Sequence, residues 1–99
     1  MKDEPGNGWY EPADPTFREA CPCCDYVTLP ERGSSLICKV CFWEDDMFSG
    51  DQLDEWSMCN GMTLATARAN FVAIGACDAR MLQHVVSLKQ RAMFKKRMP

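Results

Sequence analysis

Two pairs of cysteines constrain this chain more than any other feature of its sequence. Cys21 and Cys24 stand in the run CPCC, and Cys38 and Cys41 stand in CKVCFW after thirteen intervening residues. Each pair has the C-x2-C spacing, and two such pairs can converge so that four thiolates bind one metal ion tetrahedrally. We therefore predict a closed, structural Zn²⁺ site formed by these four cysteines.

A metal site explains the cysteines better than disulfide bonds do. The chain has 99 residues, enough for one domain with a modest core, and seven cysteines, an odd number. It starts without the apolar stretch of a secretory signal and has no apolar run long enough to span a membrane, so we expect a cytoplasmic protein. In a reducing compartment, clustered cysteines more often bind metal than form disulfides. Free buried thiols or a redox pair are the alternatives.

Three cysteines lie outside this ligand set. Cys23 is adjacent to Cys24, so a disulfide between them would be strained, and it is either an alternative ligand or a free thiol. We expect Cys59 and Cys77 to be buried as small apolar side chains.

A β-hairpin is predicted between the two cysteine pairs. The β-forming runs at 26–29 and 35–37 are separated by turn residues at 30–34. Pairing of these runs would bring the cysteines together, as in a zinc ribbon. Asp25 follows the first pair, where a left-handed residue is often needed, and Asp tolerates that conformation well.

Two helices are predicted to follow. Thr63 is the expected N-cap of the first and Gly75 its stop. Its predicted core face is Leu64, Ala67, Phe71 and Ile74, with Phe71 central. Asp78 can cap a second helix with the apolar face Leu82, Val85, Val86, Ala92 and Met93. We expect the tail KKRMP to fray.

The predicted fold class is therefore small α+β, with a zinc-ribbon-like β-hairpin followed by two α-helices. We divide this single domain, residues 1–99, into an extended N-terminal arm (1–19), a zinc ribbon (20–46), an acidic loop (47–62) and a helical hairpin (63–97).

The charges are distributed unevenly along the chain. Residues 1–60 carry thirteen acidic and four basic side chains, a formal charge of −9, whereas residues 61–99 carry one acid and seven bases, a formal charge of +6. An acidic front half suits a basic protein partner and disfavours nucleic acid, whose binding requires Lys and Arg at phosphates.

A segment that mixes acids with aromatic residues is the candidate partner-binding surface. Its members are Trp43, Glu44, Asp45, Asp46, Asp51, Asp54, Glu55 and Trp56. Aromatic side chains can supply buried anchors at an interface while the acids meet basic groups. In the alternative interpretation, Trp43 and Trp56 pack over the zinc site and the acids face water.

The sequence offers little for catalysis. His84 is the single histidine and has no acid three or four positions away, and neither a Gly-rich phosphate loop nor a calcium-loop pattern is present. A four-cysteine site leaves no open metal position for substrate or water. We therefore expect no enzymatic activity.

Four motifs resemble the cysteine-rich CPCC family of bacteria. They are CPCC at 21–24, ERGS at 31–34, ICxVCFWEDD at 37–46 and NGMTLxxARxNF at 60–71. The resemblance covers roughly residues 20–76 and implies a small zinc-binding domain. Asp25 departs from it, standing where a glycine is usual, and Cys59 and Cys77 lie outside its pattern.

The functional hypothesis is a zinc-stabilised module that binds another protein. Its most concrete form is an immunity protein whose acidic surface covers the basic groove of a toxin, for which a nuclease fits best. One alternative is a nucleic-acid-binding zinc ribbon in transcription or translation, supported by the basic residues Lys89, Arg91, Lys95, Lys96 and Arg97. The other is a thiol-redox or metal-handling protein that uses Cys23.

Overall fold

The computed structural model describes residues 14–46 and 52–97. Within these ranges, six short strands accompany one regular α-helix, a 3-10 helix and a single-turn α-helix. In chain order the elements are β1 (Glu19–Ala20), β2 (Val27–Leu29), β3 (Leu36–Ile37), β4 (Glu44–Asp45), β5 (Trp56–Ser57), β6 (Met62–Thr63), α1 (Leu64–Ile74), the 3-10 helix (Ala79–His84) and α2 (Leu88–Arg91). None of the helices in the described part of the chain is both long and apolar enough to cross a membrane.

The strands form three antiparallel pairs of sequence neighbours. β1 pairs with β2 around the first cysteine pair, β3 with β4 around the second, and β5 with β6. The small α+β fold is as predicted, but the predicted hairpin between 26–29 and 35–37 is wrong. Each C-x2-C turn reverses the chain, so each of these segments pairs with the strand on the other side of its own cysteine pair.

Helix α1 begins and ends as predicted. The Thr63 hydroxyl accepts a hydrogen bond from the Thr66 backbone amide in the first turn of the helix. Gly75 is the C-cap, with a φ of 85°. The predicted apolar face is buried only in its first half, because Leu64 and Ala67 are buried whereas Ile74 is exposed.

The predicted second helix is interrupted. Asp78 does cap a helix, but that helix is the 3-10 helix and it ends at the extended residue Val85. Ser87 then caps α2 in a capping box with Gln90. The β-branched pair at 85–86 prefers extended backbone, and the Val86 amide uses it to donate to the Lys39 carbonyl at 3.1 Å.

Residues 95–97 are ordered where fraying of the tail was expected, and residues 98 and 99 lie outside the described residues. The Val27 amide donates to the Lys95 carbonyl at 2.7 Å, and the Arg97 amide donates to the Asp25 carbonyl at 2.7 Å. Between these bonds, Tyr26 and residue 96 form an antiparallel bridge. Residues 95–97 therefore extend the β1–β2 pair by another short antiparallel segment.

The core is built around the cysteines rather than between two helices. Its buried members are Cys21, Cys23, Cys24, Leu29, Cys38, Val40, Cys41, Trp43, Met62, Leu64, Ala67 and Cys77. Phe71, predicted to be central, is half-buried and packs against the edge of this cluster.

The predicted arm and loop lie partly outside the described residues, which omit 1–13 and 47–51. Of the arm, residues 14–18 are exposed before β1 begins. Of the predicted acidic loop, residues 56–62 contain the β5 strand and its turn into β6.

Candidate metal centre and acidic surface

The two cysteine pairs sit on turns with the same backbone conformation. In the first turn (residues 21–26), the first amide donates to the sixth carbonyl at 2.9 Å and the fifth amide donates to the first carbonyl at 2.9 Å. In the second turn (residues 38–43), the same two bonds measure 3.0 and 2.8 Å. Matched turns of this kind present both cysteines of each pair toward one point.

A left-handed residue closes each turn. Asp25 has a φ of 68°, as predicted, and Phe42 occupies the equivalent position with a φ of 70°. The conformation costs a residue with a side chain about 1–2 kcal/mol. Phe42 was not foreseen there because aromatic residues rarely adopt it, but its ring stacks on His84 with centroids 5.0 Å apart.

The four predicted ligands form one sulfur cluster that could hold a metal ion, as their spacing predicted. All four Sγ atoms lie within 4.8 Å of one another, and all four residues are buried. The Cys21–Cys41 and Cys24–Cys38 sulfur distances are both 3.6 Å. A tetrahedron with metal–sulfur bonds of about 2.3 Å has sulfur–sulfur edges of about 3.8 Å, so the donor set fits one metal ion.

The remaining cysteines stay outside the cluster. Cys23 is buried beside it, and Cys77 is buried with its amide donating to the Cys41 carbonyl at 2.8 Å. Cys59 is exposed, so its predicted burial is wrong. It lies at the turn between β5 and β6.

Hydrogen bonds to sulfur support one ligand in particular. The Thr28 hydroxyl donates to Cys38 Sγ at 3.0 Å and the Val40 amide does so at 3.3 Å. Thr28 is almost fully buried and was missed by the sequence reasoning. A polar residue in the middle of a short strand beside a cysteine pair was the available signal.

Burial sets the electrostatics of the cluster. It raises the pKa of the Cys21 and Cys41 thiols well above the ordinary value. The pKa of Cys38 is lowered: burial opposes this, but hydrogen bonds with the other three ligands and with Thr28 outweigh it. Thiolates in so buried a place need a counter-charge, which a divalent cation supplies when it displaces the thiol protons.

Neighbouring side chains cover the cluster on the core side. Leu29, Val40 and Trp43 are fully buried with it. Arg68 on α1 donates from Nε to the Pro22 carbonyl at 2.8 Å, which fastens the helix to the first turn. The four sulfurs are therefore enclosed in the core, where they could hold one metal ion.

The chain matches the family model described as "Cysteine-rich CPCC" over residues 19–92, well over half of its length. This chain belongs to the cysteine-rich CPCC family. The match extends past the motifs at 20–76 and includes the 3-10 helix and α2. Comparison with curated proteins gave no match, and neither did comparison with solved structures.

In this CPCC protein, two predicted partner-binding residues belong to the interior. Trp43 and Asp45 are both fully buried, so neither offers surface to a partner, and that part of the prediction is corrected. The Asp45 carboxylate accepts from Arg32 Nε at 2.8 Å, from Arg32 Nη2 at 3.1 Å and from the Gly33 amide at 2.9 Å. The Asp45 side chain therefore connects the FWEDD motif, to which it belongs, to the ERGS motif.

Two more predicted residues form part of a brace between β4 and the β5–β6 turn. The Asn60 side-chain amide accepts from the Glu44 amide and donates to the Glu44 carbonyl, both at 2.9 Å. The Ser57 hydroxyl donates to the Asp46 carboxylate. Both acids are half-buried, and sequence reasoning missed Asn60 although it begins the NGMT motif.

The exposed remainder is a smaller acidic surface. Asp54, Glu55 and Trp56 are exposed, with 57% of Trp56 accessible, and Met58 in the same hairpin is exposed as well. We call residues 54–58 the acidic hairpin. Asp51, the last predicted partner-binding residue, lies outside the described residues.

Three basic residues that supported nucleic-acid binding are engaged within the CPCC protein. Arg91 and Lys96 each lie over an aromatic ring of the body, at 4.8 and 5.6 Å from the ring centroids. Arg97 pairs with the Asp25 carboxylate. The C-terminal bases thus contact the first turn and α1 instead of extending away as a separate basic stripe.

Proposed function

We propose that this CPCC protein binds one Zn²⁺ through Cys21, Cys24, Cys38 and Cys41 as a structural ion, and that the stabilised domain binds another protein without catalysing a reaction. The observation that carries the metal assignment is the cluster of four buried sulfurs on two matched turns. Four thiolates in tetrahedral arrangement suit zinc or iron, and zinc is the redox-inert choice for a site without substrate access.

The donor set also argues for a structural role. Four protein ligands fill a tetrahedral coordination shell, so no position is left for substrate or an activated water. Zn²⁺ in such a site supplies folding energy, since the ligands come from two separate hairpins that the ion joins.

Metal substitution tests this proposal. Zinc is exchanged for Co²⁺ in the purified protein, and the visible and near-ultraviolet spectrum is recorded. We expect intense tetrahedral cobalt bands with thiolate charge-transfer absorption, and displacement of one equivalent of cobalt by zinc. Octahedral cobalt bands, or iron in the protein as purified, would contradict the assignment.

The acidic hairpin is the proposed partner surface. It places the carboxylates of Asp54 and Glu55 beside an exposed indole, the combination expected where a basic partner is met by charge and anchored by an aromatic ring. The most concrete partner is a toxin whose basic groove binds nucleic acid, with this CPCC protein as its immunity protein.

A binding experiment with matched variants tests the partner proposal. The prey is any secreted protein whose gene lies beside this one, and association is followed at low salt. Asp54→Lys should slow association, Trp56→Ala should speed dissociation, and Lys89→Gln should change neither. No binding, or no protection of cells that express the prey, would contradict the immunity proposal. A salt-dependent gel shift with DNA or RNA would favour the nucleic-acid alternative instead.

A further inference from the structure

A cavity beside the first turn borders the metal centre, because Cys24 of the sulfur cluster is one of its lining residues. Its volume is about 380 Å³, within the range of small-ligand sites. Its walls come from the first turn, from α1 and from the C-terminal segment. The lining residues that matter here are Cys23, Asp25, Arg68, Phe71, Arg91 and Lys96.

The arginines of this cavity differ from all the others in the chain. Four of the six arginines form ion pairs with aspartates: Arg18 with Asp14, Arg32 with Asp45, Arg80 with Asp78 and Arg97 with Asp25. Among the described residues, Arg68 and Arg91 have no carboxylate partner, and both line the cavity. Guanidinium groups without an anion therefore concentrate at one place.

Arg91 is held in the cavity wall at a cost. Its guanidinium lies 4.8 Å from the Phe71 ring centroid, and a Cβ at Gly75 would come within 2.7 Å of its Nη2. Its Nε is buried and has no hydrogen-bond partner in the described part of the chain. A buried charged donor without an acceptor is unfavourable, and an oxyanion in the cavity would place a counter-charge beside this guanidinium.

The other two cations approach from different directions. Arg68 is fixed by the bond from its Nε to the Pro22 carbonyl at 2.8 Å. Lys96 is held with its Nζ 5.6 Å from the Tyr26 ring centroid. The one carboxylate in the wall, Asp25, is already paired with Arg97. The ionisable Asp, Arg and Lys side chains of the wall thus carry three positive charges and one negative charge, although the protein as a whole carries a formal charge of −3.

We propose that this cavity binds a phosphate monoester, with the phosphate among Arg68, Arg91 and Lys96 and the apolar part of the ligand against Phe71 and Val72. Three cations on three elements suit a tetrahedral dianion, whose oxygens point in several directions, better than a planar carboxylate. The proposed ligand contacts use none of the four cysteines and none of the acidic hairpin, although Cys24 borders the cavity.

The test is a titration of the zinc-loaded protein with phenyl phosphate, followed by amide NMR and by calorimetry. We expect saturable binding in the millimolar range or tighter, with shifts confined to residues 23–25, 68–72 and 91–96. Inorganic phosphate should bind more weakly at the same place. Benzoate, with the same ring and a single planar carboxylate, should bind more weakly still.

Matched variants locate the site. Arg91→Gln should weaken phenyl phosphate binding by at least about tenfold, because it removes a charged donor from a desolvated place. Lys96→Gln should weaken it about two- to fivefold, since this side chain is exposed and its charge is screened. Lys89→Gln, an exposed control outside the cavity, should bind as the parent does.

Three results would overturn the proposal. They are non-saturating shifts spread over the surface, equal binding by Lys96→Gln and Lys89→Gln, and tighter binding of benzoate than of phenyl phosphate. Lys96→Gln alters an exposed side chain, so it remains a fair test even if Arg91→Gln does not fold.

Discussion

The first turn and the second turn have the same backbone conformation but differ in how deeply their side chains are buried. The second turn is embedded, with Val40 and Trp43 fully buried. In the first turn the equivalent positions are Cys23, which is buried but also lines a cavity, and Tyr26, which is only half-buried. The same backbone hydrogen bonds recur in both C-x2-C turns, whereas the side chains at the other positions determine how deeply each turn is buried.

The attachments of the two turns follow the same division. The second turn accepts backbone hydrogen bonds from the Cys77 and Val86 amides, at 2.8 and 3.1 Å. The first turn is held by residues 95–97 and by Arg68. Substitutions at equivalent positions should therefore have equal effects where the metal is concerned and unequal effects elsewhere.

The largest effect, equal in both turns, is expected at the ligands. Cys24→Ser and Cys38→Ser should each reduce zinc content to near zero and abolish cooperative unfolding, because structural zinc contributes roughly 10–16 kcal/mol of apparent binding energy to small domains. Elemental analysis and thermal melts followed by circular dichroism measure both quantities. Cys59→Ser, at an exposed site, is the control and should keep its zinc. Full zinc occupancy in Cys38→Ser would refute the ligand set.

Alanine substitutions at the sixth position of each turn should differ sharply in their cost to the free energy of unfolding. Trp43→Ala should lower the free energy of unfolding by about 3–5 kcal/mol, because it leaves a cavity in the core. Tyr26→Ala should cost about 1–3 kcal/mol, since that ring is only half-buried. Denaturant titration of the zinc-loaded proteins gives both values. Equal costs would mean that the two turns are buried alike.

The next largest difference is expected between substitutions of a buried aspartate, Asp45, and of a more exposed one, Asp25. Asp45→Asn should cost about 2–3 kcal/mol, because Arg32 loses its charged acceptor in a largely buried pair. Asp25→Asn loses the more exposed pair with Arg97 and should cost at most about 1 kcal/mol. Raising the salt concentration should shrink the second cost more than the first. The opposite salt response would place Asp25 in the better-shielded pair.

The smallest effect concerns the left-handed residues. At both Asp25 and Phe42, the Ala variant should be less stable than the Gly variant by about 1 kcal/mol, because only glycine adopts a positive φ without strain. Comparing Ala with Gly at one position cancels the loss of the original side chain. A difference near zero at one turn would show that its backbone relaxes when the side chain is removed.

The sequence predicted what local spacing determines. The cysteine pairs, the left-handed Asp25 and the caps Thr63 and Gly75 each depend on neighbours a few residues away, and all are confirmed. Strand pairing failed because β propensity indicates that a segment is extended but not which segment it pairs with. The strand pairing is determined by the C-x2-C turns, each of which reverses the chain and brings its two flanking segments together.

The second helix was overextended for a different reason. Its apolar residues fall on one helical face, and periodicity alone does not reveal the break at Val85. The capping box of Ser87 and Gln90 was a readable sign that a new helix starts there. The buried Asp45 could not be separated from its exposed acidic neighbours, because its partner Arg32 is thirteen residues away and is brought close only by the fold.

The pairing of residues 95–97 with the first turn has a consequence for the solubility of this CPCC protein. Without that segment, the Val27 amide and the Asp25 carbonyl would lie on an open strand edge. Such edges recruit strands from other molecules, the first step toward aggregates and exchanged dimers. Lys95 and Lys96 add charge there, which further discourages edge-to-edge pairing. We therefore expect residues 95–97 to protect this edge from self-association, and proteolytic trimming before Lys95 should make the protein aggregate while the four-cysteine cluster stays intact.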